Sequence, residues 1–162
     1  MRLIIAGAVL AAGLCVSTAN AQSFGVTNIG SLSGNANRCY GEARGWEVAA
    51  GYDRGHFEYC YAARDRDGNG DDIRIGYGSG QWQIAVLVDS RPDWYGQLEI
   101  DGRAIGASGT AAQRWTYAWI GLPELDALRG GSHAVLRIGP YDIDFSLSGV
   151  TAATLLVAEL TR

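Results

Sequence analysis

The chain has 162 residues, with 13 basic and 17 acidic side chains for a formal charge of −4, and 48% of its residues are hydrophobic. That length accommodates one ordinary domain with a real core and is short for two. The acidic balance argues against nucleic acid and anionic membrane surfaces as partners, since both repel a negatively charged chain.

Arg2 precedes an apolar run from Leu3 to Val16, and Ala19-Asn20-Ala21 then offers a small-residue cleavage site. This is the pattern of a secretory signal peptide over residues 1–21. The run is about 14 residues long, and a membrane-spanning helix needs about 20. Cys15 follows Leu14, where a lipid-modification site carries a small residue, so a lipid anchor is not expected. Removing 21 residues from 162 leaves 141, residues 22–162, read as one domain in the periplasm or outside the cell with no membrane span once the leader is cleaved. Arg2 leaves with the leader, so 12 basic side chains face 17 acidic ones, a net charge of −5.

Two cysteines remain, Cys39 and Cys60. An even number in an exported chain predicts a disulfide bond, which would stabilise by about 3 kcal/mol through loop closure. A catalytic thiol with His56 or His133 as its base is the alternative, but no cysteine-protease signature surrounds either cysteine.

After a polar lead from Gln22 to Asn37, short alternating runs are bounded by Gly, Asp and Pro, the pattern of antiparallel β structure. Strands are predicted at 46–50, 57–61, 73–75, 82–88, 98–100, 115–120, 134–138 and 141–147. The last is the cleanest, since apolar and polar residues alternate strictly and so face opposite sides of a sheet. About eight strands suit an antiparallel β-sandwich or a squashed barrel. Two segments read as helices. In GLPELDALRGG, Pro123 stands at a first helical position and Gly130 at a C-cap. In SLSGVTAATLLVAEL, Ser148 is a potential N-cap and Ala153, Leu156, Val157 and Leu160 share one stripe, giving a C-terminal helix packed on the sheet.

The segment DRDGNGDD carries Asp65, Asp67, Asn69 and Asp71 at alternate positions with Gly70 among them, which matches the start of a calcium-binding EF-hand loop. The match stops there. Gly76 stands where the bidentate glutamate belongs, and the flanks alternate with period two, so no helix pair frames the loop. The segment is read as a polar hairpin turn with weak calcium affinity as the alternative; no other cofactor is implied.

Trp115, Tyr117 and Trp119 share one strand face at about 6.8 Å spacing, as core or as a sugar-stacking row. Trp94 and Tyr95, in SRPDWYG, sit in an apparent loop and are the ligand-binding candidates. Glycan hydrolysis would need two carboxyl groups about 5 to 9.5 Å apart, with Glu47 or Glu58 as acid. No G-x-S-x-G or H-E-x-x-H occurs, so no catalytic residue is assigned.

Trp46 to Val48, LEIDGR (Leu98 to Arg103), LPELDALRGGSHAVLRIG and FSLSGVTAATLLVAEL (Phe145 to Leu160) together resemble small secreted alphaproteobacterial proteins, in particular the invasion-associated locus B family. The resemblance covers about residues 44–160. It implies a β-sandwich and an envelope or periplasmic role without known catalysis. This chain departs from the family in having no cysteine pair in its second half. The expected function is a non-enzymatic envelope protein binding a protein or glycan partner; a cell-wall hydrolase, and an inhibitor or immunity protein of a secreted enzyme, are the alternatives.

Overall fold

A computed structural model of the chain describes residues 28–32, 36–66, 73–112 and 114–162. The expected signal peptide, residues 1–21, lies outside them. Among the described residues no helix is long and apolar enough to cross a membrane.

Ten strands occur among the described residues: β1 (Asn37–Ala43), β2 (Trp46–Asp53), β3 (His56–Arg64), β4 (Ile73–Gly78), β5 (Gln81–Val86), β6 (Asp93–Ile100), β7 (Arg103–Ala112), β8 (Trp115–Ile120), β9 (His133–Ile138) and β10 (Tyr141–Ser146). Two helices accompany them, α1 (Leu122–Gly130) between β8 and β9 and α2 (Val150–Leu160) at the end. The predicted eight-stranded sandwich is replaced by one antiparallel sheet in the order β1-β2-β3-β4-β5-β8-β7-β6-β9-β10, curled into a half-barrel.

Local chemistry accounts for the single sheet. Four hairpins turn on two residues with positive φ: Arg44-Gly45, Arg54-Gly55, Ser79-Gly80 and Asp101-Gly102. Such turns match the right-handed twist of their strands and keep successive strands side by side. Gly139, at φ +56, and Pro140 make the corresponding turn between β9 and β10. These turns hold five neighbouring pairs together, and the pairings of β3 with β4, β5 with β8, β8 with β7 and β6 with β9 complete the single sheet. A twisted sheet of about ten strands curls to bury one face.

The concave face forms the main core. Trp46 and Val48 from β2, Ile75 from β4, Ile84 from β5, Leu98 from β6 and Leu136 from β9 are all essentially inaccessible and belong to one cluster. α2 fills the remaining concavity with Val150, Ala153 and Val157. Its N-cap is Gly149, at φ +86, rather than Ser148. The Ser148 carbonyl instead accepts hydrogen bonds from the Trp46 indole (2.9 Å) and from Arg64 (2.8 Å), tying the start of α2 to β2 and β3. The last strand is fastened to the first half of the sheet as well, because Arg66 donates to the Asp144 carbonyl at 3.2 Å.

The predicted Cys39–Cys60 bridge is not formed; Cys60 is a buried free thiol. Register explains why. Cys39 lies opposite Ala49, and Ala49 opposite Tyr61, so Cys39 and Cys60 stand two strands apart and project to opposite faces. Two strand spacings are about 9.6 Å, beyond the Cα separation a disulfide spans.

Burial pushes the Cys60 thiol from 9.0 up to about 12, and the Tyr117 phenol from 10.0 up to about 12, the latter partly offset by Arg74. Both groups are raised in the folded state, so their contribution to stability is complete below the unfolded values near 9 and 10 and is lost as the pH climbs toward 12. The urea midpoint should therefore be flat from neutral pH to about 8.5 and fall steadily above it. Cys60→Ala should soften that fall, and a thiol reagent at pH 8 should label Cys60 only after denaturation, as mass spectrometry of the digested protein would show.

Candidate functional site

The two long connections of the sheet cross opposite ends of the half-barrel. β8 leads through α1 to β9, covering the end that holds Ile100 and Ile120. β5 leads through residues 87–92 past β8 and β7 to β6, crossing the end that holds Val86, Thr116 and Asp93. Among the described residues no helix covers this second end. A groove of about 660 Å³ opens there between the 87–92 connection, the start of β6 and the β9–β10 turn.

Both ligand candidates from the sequence line this groove, though not as a loop pair. Trp94 and Tyr95 are early residues of β6, so they point to opposite faces. Trp94 is 5% exposed and belongs to the concave core. Its indole donates to the Thr110 and Tyr117 carbonyls at 3.3 and 3.2 Å, and the neighbouring Gly109 leaves that space open, since a Cβ there would meet the Tyr117 oxygen. Trp94 is therefore the groove's anchored floor, whereas Tyr95 is 85% exposed and free to contact a ligand.

Tyr141, 41% exposed beside Pro140, lines the groove on the same face of the sheet as Trp94, whereas Tyr95 stands at its edge on the opposite face. Strict alternation in 141–147 assigned it to the core face. It does share that face, but it stands at the sheet's uncovered end. The Gly139-Pro140-Tyr141 turn carries the signal that could have identified it, an aromatic residue beside proline at a hairpin tip. The opposite wall is polar, with Asp89, Ser90, Arg91 and Asp93.

That wall is fixed in place. The fully buried Thr116 donates its hydroxyl to the Val88 carbonyl at 2.8 Å and lies 2.9 Å from the Ser90 hydroxyl. The Ala111 amide donates to the Pro92 carbonyl at 2.9 Å, and the Val88 amide to that of Val86 at 3.0 Å. A wall set by hydrogen bonds is preorganised, which reduces the entropy lost on binding.

The other sequence candidates fare differently. Asp65 follows β3, whose end pairs with the start of β4, Arg64 opposite Ile73. Asp67, Asn69 and Asp71 lie outside the described residues. Among the described residues no group of three His, Cys, Asp or Glu side chains is placed to hold a metal ion. Glu47 pairs with Ala63 while Glu58 lies five residues back along the same strand, about 17 Å away along the sheet. The two are too far apart for paired acid and base at a glycosidic bond. His56 is at the β2–β3 turn, while His133 on β9 pairs with Asp144 at 2.7 Å. The row Trp115, Tyr117 and Trp119 faces the convex side; the first two are buried there and Trp119 is 38% exposed.

Thr116→Val keeps the size of the side chain and removes its hydroxyl. It should cost about 1 to 3 kcal/mol, because the Val88 carbonyl loses its donor in a partly buried place. Residues 87–92 should then become susceptible to limited proteolysis while the circular dichroism spectrum stays unchanged.

No family model matches the chain, and no curated protein matches it in sequence. Among solved structures the chain is similar to invasion associated protein B from Bartonella henselae, with 16% identity over 74% of this chain and 95% of that one, and a TM-score of 0.49. At that level nothing about this chain's activity or partners follows from the likeness.

Proposed function

We propose that the protein is a non-enzymatic binding module of the bacterial envelope, periplasmic or secreted, and that its groove at Tyr95 and Tyr141 takes a glycan. The reading rests on the groove in which the part-exposed Tyr141 faces a polar wall, with the exposed Tyr95 at its edge. A sugar ring is itself two-sided: its C–H face stacks on an aromatic ring while its hydroxyls seek acceptors and donors at the edge. Tyr141 offers the first contact, with Tyr95 at the groove's edge; Asp89, Asp93, Ser90 and Arg91 offer the second. Two carboxylates against one guanidinium favour a neutral or amino-bearing sugar over an acidic one. The signal-peptide pattern of residues 1–21 supports the compartment in which such glycans lie.

Sedimentation with insoluble peptidoglycan and calorimetry with soluble cell-wall oligosaccharides test this directly. The wild type should bind. Tyr95→Ala and Tyr141→Ala should each weaken binding by about 1 to 3 kcal/mol, five-fold to more than a hundred-fold, without lowering the melting temperature of Tyr95→Ala, whose ring is almost wholly in solvent. Binding that is absent in the wild type, or equal in all three proteins, removes the reading. Release of soluble fragments by the wild type would instead favour a hydrolase.

A further inference from the structure

The convex face of the sheet carries two groups of aromatic side chains that differ in what lies over them. Tyr59, Tyr61, Trp115 and Tyr117 form an apolar cluster with the fully buried Ile29, whose amide donates to Gln83 Oε1 at 3.2 Å, so residues 28–32 are the fold's own cover there. Tyr95 and Trp119 lie outside that cluster and are 85% and 38% exposed. Solvent-facing tyrosine and tryptophan rings are the amphipathic side chains that binding surfaces favour.

Register brings these two residues into one row. Tyr95 on β6 stands opposite Ser108 on β7, and the pairing of Gly109 with Ala118 sets Ser108 beside Trp119 on β8. All three are on the convex face, and the outer two are two strand spacings apart, about 9.6 Å. The floor between them is low. Ser108 is small, and at the exposed Gly106, two residues along the same face and opposite Gln97, a Cβ would meet nothing within 4 Å. Thr110, on the other side of Ser108, pairs with Asp93.

The row is continuous with the groove, because Asp93 and Tyr95 line the groove and also stand on the convex face. We infer that a glycan chain held in the groove runs on over the edge at Tyr95 and lays its following sugars across Ser108 against Trp119; this rests on the glycan reading of the groove. Successive rings of a sugar chain present C–H faces for stacking, while Gln97, Ser108 and Thr110 offer uncharged donors and acceptors at the ring edges. A single nucleic-acid strand also stacks on aromatic rows, but it needs cations along its backbone. The row is flanked by the anionic Asp93, and Arg137, opposite Gln97, is already paired with Glu99 at 2.8 Å.

Calorimetry on the full chain with oligomers of N-acetylglucosamine tests this, using a disaccharide that fits within the groove and a hexasaccharide long enough to reach Trp119. A second contact made by the same molecule costs no second loss of translational freedom, so the wild type should bind the hexasaccharide about ten-fold more tightly. Trp119→Ala should bind the disaccharide as the wild type does and lose this gain. Gly106→Glu should do the same, because its side chain rises from the floor into open space at a φ that any residue adopts. Tyr141→Ala should weaken both oligomers. Equal affinity of the wild type for the two lengths, or a length gain undiminished in either folded variant of the row, overturns the inference and leaves the groove reading standing. Failure of the wild type to bind either oligomer removes the groove reading, and this inference with it. If Trp119→Ala does not fold, Gly106→Glu decides alone.

Discussion

A ten-stranded antiparallel sheet must bury its apolar side without a second sheet to lay against it, and the C-terminal helix is what satisfies that demand. Val150, Ala153 and Val157 enter the concavity, and the carbonyl of Ser148 just before the helix is bonded by both Trp46 and Arg64. Arg64 also donates to the Arg44 carbonyl at 2.9 Å and lies over the Trp46 ring, so one guanidinium joins the first hairpin, the third strand and the helix lead. The strands from β2 to β10 share a single core because this junction holds the curl.

Curvature then decides where chemistry can happen. The connection through α1 occupies one end of the half-barrel, and its start is held by Glu124, which accepts from the Gly121 amide at 2.9 Å. The connection through residues 87–92 is too short to form a helix and crosses the other end as a rim. Thr116 turns that rim into a fixed wall, and the tight β9–β10 turn supplies the wall opposite. The groove is thus a product of topology: β6, β7 and β8 are inserted in reverse order between β5 and β9, and two long crossings are needed to thread them.

The convex face shows the same economy in reverse. Its polar positions on β6, β9 and β10 form a cross-strand ladder, with Arg137 2.8 Å from Glu99 and 3.5 Å from Asp142, and they need no cover. Its aromatic positions on β3 and β8 do need cover, and five residues of the chain's own lead supply it. Arg74 and Gln83 are buried there because the lead lies over them, although each is flanked in sequence by residues that face the opposite core.

The sequence by itself determined the antiparallel β class, both helices and most strands, because these depend on local alternation, turn residues and stripe spacing that neighbours in the chain can express. It missed β1 and β7: the first is an exposed edge strand with a bulge at Tyr40, and the second is built from Ala, Gly and Ser, so neither alternates in hydrophobicity. It brought Trp94 and Tyr95 to notice but not their division of labour, since which of two adjacent residues is buried depends on which face of the sheet is concave. Strand order, the impossibility of a Cys39–Cys60 bridge, the arrival of Tyr141 opposite the 87–92 rim and the folding of Ile29 onto the convex face were decided only by tertiary structure. Each of these depends on register between strands distant in sequence, and register is set when the whole sheet closes on its core.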